Sequence, residues 1–303
     1  MPDLPTPHLH KLNACLQNPR LPEDDREKVE ESIQRYNHWI EGLQSVEKIK
    51  ETTIERMVEV TNSYKKFIEF DLIFNSTEDF LYRQKGQLKL DNTILEEFLP
   101  QLFSRSLIGI DESYDFGPKK TFSNLSFLST IGSPGKAGDP SIKTKDQDFV
   151  VGKPLYLMTS FNSSFSEYTK INSFLGYVCA ECKTNLDKTM FQEAVATSRD
   201  LKIAVPGSLY FLVCEFLDMT PVSIISTQID DVLIVRKAKR MSADQRQEYR
   251  TAELRQQHRQ AYEEFINSAQ YYPDVFQRMI NKIQALLDNN APGENIVLEN
   301  GYF

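Results

Sequence analysis

The stretch from Ile171 to Leu201, INSFLGYVCAECKTNLDKTMFQEAVATSRDL, decides the fold. Its first half, through Lys183, is an apolar, β-branched and aromatic run that reads as a strand. Its second half changes period. Asp187 stands as an N-cap, and Met190, Phe191, Ala194 and Val195 recur on one face of a helix over 187–201. Pro206-Gly207 then marks a turn, and Leu209–Leu217 (LYFLVCEFL) is apolar throughout, as expected of a strand buried on both faces. Strand, helix and buried strand in that order predict an α/β core.

Upstream, Phe149–Ser160 (FVVGKPLYLMTS) reads as another strand, with Pro154 marking an edge or a bulge, and a polar loop near Ser166 turns it into the next one. Residues 110–140 are dense in Ser, Gly and Pro and predict irregular loops with one short strand at most. The first third is helical. Val29, Ile33, Tyr36, Ile40 and Leu43 line one face over 25–45, a second helix covers about 50–70, and a third covers about 92–106 with Thr93 and Glu96 as a capping box. Downstream, Val232–Val235 is apolar, a charged helix of about 25 residues follows Ser242, and after Tyr272-Pro273 a final helix runs to about Leu287. The division predicted is an N-terminal helical region at 1–109, a catalytic core at 110–240 and a C-terminal helical region at 241–303.

Within the decisive stretch, Glu181 and Lys183 are two apart, so on a strand they share a face. A carboxylate there can bind a divalent cation, and the neighbouring ammonium can stabilise charge on a phosphate or orient a water. A second carboxylate has to converge on the same spot. If 149–160 and 171–183 form a hairpin whose facing residues sum to about 332, Asp148 lies opposite Thr184 and within reach of Glu181, with Asp146 in reserve two residues further out. The alternative is a surface ion pair at a strand end.

The pattern of Asp148, Glu181-x-Lys183, helix and buried strand resembles the PD-(D/E)xK nuclease superfamily, although Gln147 stands where the family often carries Pro before its Asp. The segments IKTKDQDFVVGKPLYLMTSFNSSFSEYTK and GYVCAECKTNLDKTMFQEAVATSRDLK are similar to restriction enzymes of the DdeI and BbvCI kind, which include two-subunit enzymes that cut asymmetric sites. The resemblance implies a mixed central sheet flanked by helices and a type II restriction endonuclease. It also implies Mg²⁺ held by Asp148 and Glu181, one active site per chain, double-stranded DNA as substrate, and a homodimer or a heterodimer with a related subunit. A repair or branched-DNA nuclease of the same fold, and a non-catalytic DNA-binding or helical interaction protein, are the competing readings.

Bulk properties agree with an ordinary globular chain: 303 residues, 40% hydrophobic, 26% charged. No apolar run approaches the roughly 20 residues of a membrane span, and no secretory leader is evident, so a cytoplasmic protein is expected. The net charge of −8 argues against binding nucleic acid over the whole surface and leaves local patches, for which Lys143, Lys145, Arg236, Lys237, Lys239 and Arg240 are the candidates. Gln192, one turn into the helix, is a candidate above the metal water. Cys179 and Cys182 have CxxC spacing, but a strand points them to opposite faces, which does not suit zinc. Neither a GxGxxG nor a Walker loop is present, so no nucleotide cofactor is expected.

Overall fold

The computed structural model describes residues 4–48, 52–110, 112–288, 298–299 and 301. Five strands form one mixed sheet in the order β1-β2-β3-β4-β5: β1 Asp115–Phe127, β2 Pro140–Thr159, β3 Thr169–Leu186, β4 Leu209–Leu217 and β5 Asp231–Lys239. The first three pair antiparallel, while β4 and β5 continue parallel to β3. The β3–β4 crossover is α6, Lys188–Ala204, and the Asp187 carboxylate caps it by accepting from the Met190 N–H at 2.8 Å.

Alternation along the strands divides the core in two. On one face, Val150, Cys179, Tyr210, Leu212 and Cys214 meet Ala194 and Leu201 of α6. On the other, Phe149, Val151, Ala180, Cys182, Phe211 and Val213 meet the helices α1 Pro7–Leu16, α2 Glu23–Ser45, α3 Thr53–Lys66 and α5 Thr93–Ser106, together with the C-terminal α10 Pro273–Leu287. α3 runs on into a π-helical segment, Phe67–Phe74, and α4 (Phe80–Leu88) follows it. One hydrophobic cluster thus reaches from Leu12 to Ile283.

At the centre of that second interface lie four buried charges. Lys65 reaches Glu215 at 2.8 Å and Glu69 at 3.4 Å, while Arg236 reaches Glu69 at 2.6 Å and Glu215 at 2.8 Å. Tyr271 donates to Glu215 at 2.9 Å. Two cations and two carboxylates are interleaved, so each buried charge has a partner.

Several expectations change. The loop expected at 110–140 contains the 13-residue β1, disguised because Gly, Pro and Ser occupy a strand with two register shifts, at Gly117/Lys119 and Phe122/Asn124. β2 starts nine residues before Phe149, and Pro154 lies past Gly152, where β1 has ended and β2 is paired on the β3 side alone. The charged helix expected after Ser242 is three short ones, α7 Ala243–Gln247, α8 Ala252–Gln257 and α9 Arg259–Ser268. Caps at Ser242 and Thr251 restart the chain so that Tyr249, Tyr262 and Ile266 wrap Phe70 and Phe74. Buried Arg255 donates to the carbonyls of Phe74, Ser76 and Glu78. The Thr93/Glu96 capping box does not form: Thr93 donates to the Lys89 carbonyl at 2.6 Å, and the N-cap is Asn92.

α1, absent from the sequence reading, is fixed to α5 by a buried histidine. His8 contacts Thr93 Oγ1 at 3.1 Å and Tyr64 OH at 2.8 Å, and its backbone N–H donates to Glu97 at 2.8 Å. Because the Thr93 hydroxyl proton is committed to Lys89, the imidazole donates from Nδ1 and accepts from Tyr64 at Nε2. Burial, and then the charge of Lys65, lower the His8 pKa from 6.5 to about 3. Between those values the unfolded chain binds the proton and the folded chain does not, so this residue makes stability fall as pH drops through about 6.5. The difference in unfolding free energy between the parent and His8→Gln, measured by denaturant titration, should shift against the parent by about 1 kcal/mol between pH 7.5 and 5.5. An unchanged difference would show that the imidazole is not held neutral.

Candidate active site

β2 and β3 pair from Thr159↔Thr169 only as far as Phe149↔Ala180. Beyond that point β2 continues with β1 (Gln147↔Lys119), and β3 continues with β4 (Glu181↔Leu212). The sheet forks, and Asp148 and Glu181 are the first residues past the last pair. By alternation both side chains belong to the face of Val150 and Cys179, the face toward α6.

The expected register was in error by three residues: observed partners sum to 329 up to Val151 and, after a bulge at Val151/Gly152, to 328. The correction brings Asp148 level with Glu181 rather than with Thr184. β3 also runs on to Leu186, so the pair lies within the strand and not at its end.

The fork leaves a backbone donor without a strand partner, and Asp148 supplies one. Its Oδ2 accepts from the Cys182 N–H at 2.8 Å. Glu181 is held at both oxygens, by Lys183 Nζ at 2.7 Å on Oε1 and by Tyr210 OH at 2.9 Å on Oε2. Tyr210 on β4 is fully buried, and burial followed by the Glu181 charge pushes its pKa above the usual range, so it acts as a neutral donor. Burial also raises the Asp148 pKa, against the Cys182 N–H and the Lys183 charge, which lower it. For Lys183 burial acts downward, but the hydrogen bond and charge of Glu181 outweigh it and the pKa rises. The ammonium is thus kept protonated.

A third carboxylate was hidden from the sequence. Glu96 of α5 is pushed up to about 7 by burial and then by the charge of Asp148, while Lys89, Lys11 and Lys183 pull the other way. Its only sequence signal was placement one turn into a helix, and that signal was read as a cap. Among the described residues no ready-made cage of three His, Cys, Asp or Glu ligands exists. Two carboxylates level with each other on one face nevertheless suit a hard divalent ion that completes its shell with water and phosphate oxygens.

Other predicted residues are dispersed. Asp146, the reserve carboxylate, is 81% exposed and 3.9 Å from Lys120. Gln192 is exposed on α6. Arg236 is 2% exposed and committed to Glu69 and Glu215, which removes it from any DNA surface. Lys145 pairs with Asp200, Lys237 with Asp274 and Arg240 with Asp218. Lys143 and Lys239 are exposed. Cys179 and Cys182 enter opposite halves of the core, and all four cysteines are free and buried.

The family described as Bpu10I restriction endonuclease matches residues 87–303 of the chain. Among solved structures, one titled native BbvCI A2B2 tetramer at low resolution superimposes with a TM-score of 0.54 at 20% identity, covering 84% of this chain and 95% of that one. At that identity the likeness is one of fold. No curated protein matches.

The site stores electrostatic strain. Asp148→Asn keeps an acceptor for the Cys182 N–H and removes the repulsion from Glu96 and Glu181, so without added metal it should raise unfolding stability by about 1 kcal/mol. Asp148→Ala should lower it by about 1–3 kcal/mol, because the N–H is left unpaired. Denaturant titrations in chelator that reversed this order would refute the arrangement.

Proposed function

This chain belongs to the Bpu10I restriction endonuclease family, and from that premise we propose that Asp148, Glu181 and Lys183 are its catalytic residues and Mg²⁺ its cofactor. As a restriction endonuclease it is a site-specific deoxyribonuclease. The observation supporting the site is the sheet fork, which sets Asp148 beside Glu181 on one face and leaves Lys183 bonded to the latter.

Asp148 and Glu181 would hold the ion, with Glu96 close enough in charge to influence it. When bound, Mg²⁺ supplies charge neutralisation on the scissile phosphate and acidifies a coordinated water. The chain's own groups do the rest. The Cys182 N–H fixes one Asp148 oxygen, Oδ2. Tyr210 fixes the Glu181 rotamer. Lys183, kept protonated by its carboxylate neighbours, stabilises the charge that develops on the phosphate rather than acting as a base. As is usual for the PD-(D/E)xK superfamily that the chain resembles, hydrolysis would leave a 5′-phosphate.

One such site cuts one strand, so a double-strand break needs two chains. We read this chain as one subunit of a homodimer or of a heterodimer with a related subunit, acting on duplex DNA in the cytoplasm. We read the division at residues 109 and 240 as a functional one, in which the central segment carries the proposed site and the flanking helices pack around it.

With plasmid DNA and Mg²⁺, supplied alone and with a related subunit, the parent should give discrete fragments or nicks. Glu181→Ala, Lys183→Ala and Asp148→Asn should each lower cleavage by at least about 100-fold while retaining DNA binding. Asp146→Asn should cleave like the parent. Full activity in Glu181→Ala, or loss in Asp146→Asn, would overturn the assignment.

A further inference from the structure

The C-terminal ends of the three parallel strands border a cavity of about 120 Å³ that the catalytic residues do not use. Thr184 and Asn185, the two residues that follow Lys183 on β3, line it. So do Phe216 near the end of β4 and Arg240 just past the end of β5. The carboxyl ends of parallel strands are where open α/β sheets hold ligands. Chain connectivity alone ties this cavity to the site, since it begins one residue beyond Lys183.

Its remaining wall is helical. Tyr82 and Lys85 come from α4, Arg246 from α7, and Tyr262, Phe265 and Ile266 from α9. Glu69, 7% exposed, lines it as well. Arg236 and Lys65 both approach its Oε1, while its Oε2 is buried with no hydrogen-bond partner among the described residues. A buried carboxylate oxygen without a donor is costly, and an N–H on a ligand would satisfy it. Two cations at the same cavity are also uncommitted. The Lys85 ammonium lies 4.5 Å from the centre of the Tyr82 ring, and Arg246 donates to the Met241 carbonyl at 2.7 Å. Neither makes an ion pair among the described residues.

Size and polarity select the ligand. An engineered cavity of about 150 Å³ holds one benzene molecule, so this one suits a single six-membered ring better than a fused pair. Aromatic walls favour a flat ring. The unmet acceptor calls for an amino group, and the two cations suit a ring carbonyl and a phosphate. Among the bases of DNA, cytosine is the single ring that carries an exocyclic amino group, where thymine has a carbonyl.

We propose that this cavity receives a cytosine turned out of the duplex, with its amino group toward Glu69 and its phosphate toward Lys85 and Arg246. The choice of a DNA base as occupant rests on the nuclease reading of the neighbouring fork. Turning a base out costs least where it has no partner to lose, and that difference makes the cavity measurable.

The test uses the full-length chain in chelator with short fluorescent duplexes of one arbitrary sequence. One is fully paired, one carries a cytosine opposite an abasic position, and one carries a thymine there. The parent should bind the unpaired-cytosine duplex about tenfold more tightly than either of the others, the effect of one charge-assisted hydrogen bond. Lys85→Met removes a cation, and Ile266→Phe fills the cavity with an apolar ring. Both should lose that preference while unfolding near the parental midpoint and holding the paired duplex as the parent does. Equal affinity of the parent for all three duplexes, or a preference that survives in both variants, would overturn the assignment and leave the nuclease reading intact. Binding of deoxycytidine monophosphate without discrimination among the duplexes would give the cavity to a free nucleotide and overturn a base drawn from DNA. A parent that binds none of the duplexes, with or without the related subunit, would overturn both readings.

Discussion

A single backbone N–H at the point where a sheet divides organises this molecule. β2 and β3 stay paired from their loop only as far as Phe149↔Ala180, while β1 lines the other edge of β2 and β4 the other edge of β3. Just past that last pair, the Cys182 amide meets a carboxylate instead of a carbonyl. A hydrogen bond normally spent on the ladder is spent on Asp148, which the register sets level with Glu181. The reactive geometry is therefore a property of sheet topology before it is a property of particular side chains.

What surrounds the fork follows from it. Burial, and after it the charge of a neighbouring carboxylate, make Asp148 and Glu96 resist ionisation. Lys183 and Tyr210 offset part of this from the sheet, and Lys89 and Lys11 offset more from the helices. On the proposed assignment, the arrangement that is unfavourable in isolation is receptive to a cation and a phosphate, and stability and function would pull in opposite directions at Asp148.

Much of this was legible in the chain. The 3.6-residue period of α2, the Asp187 cap and the unbroken apolar run of β4 all declare themselves locally, and their observed bounds lie close to those expected. Glu181 and Lys183 could be singled out because two residues on one strand need no register to share a face. Asp148 could be named but not placed, since its partner depended on where the long loop turns and on a one-residue bulge at Val151/Gly152, neither of which composition reveals. β1 was hidden because its Gly117 and Pro118 speak for a turn while its pairing with β2 speaks for a strand, and the tertiary pairing won. Glu96 and Arg236 show the deeper limit. Each has an unremarkable sequence neighbourhood, and its role comes from elements far along the chain.

The four interleaved charges of Lys65, Glu69, Glu215 and Arg236 bear on modularity. The family match begins at residue 87, after both Lys65 and Glu69, which neutralise the other two. A segment cut there would carry Glu215 and Arg236 into a core with half their partners missing, and the apolar surface that α2 and α3 cover would face water. The sheet strands are thus not a cassette that can be lifted out of the helical third and kept folded.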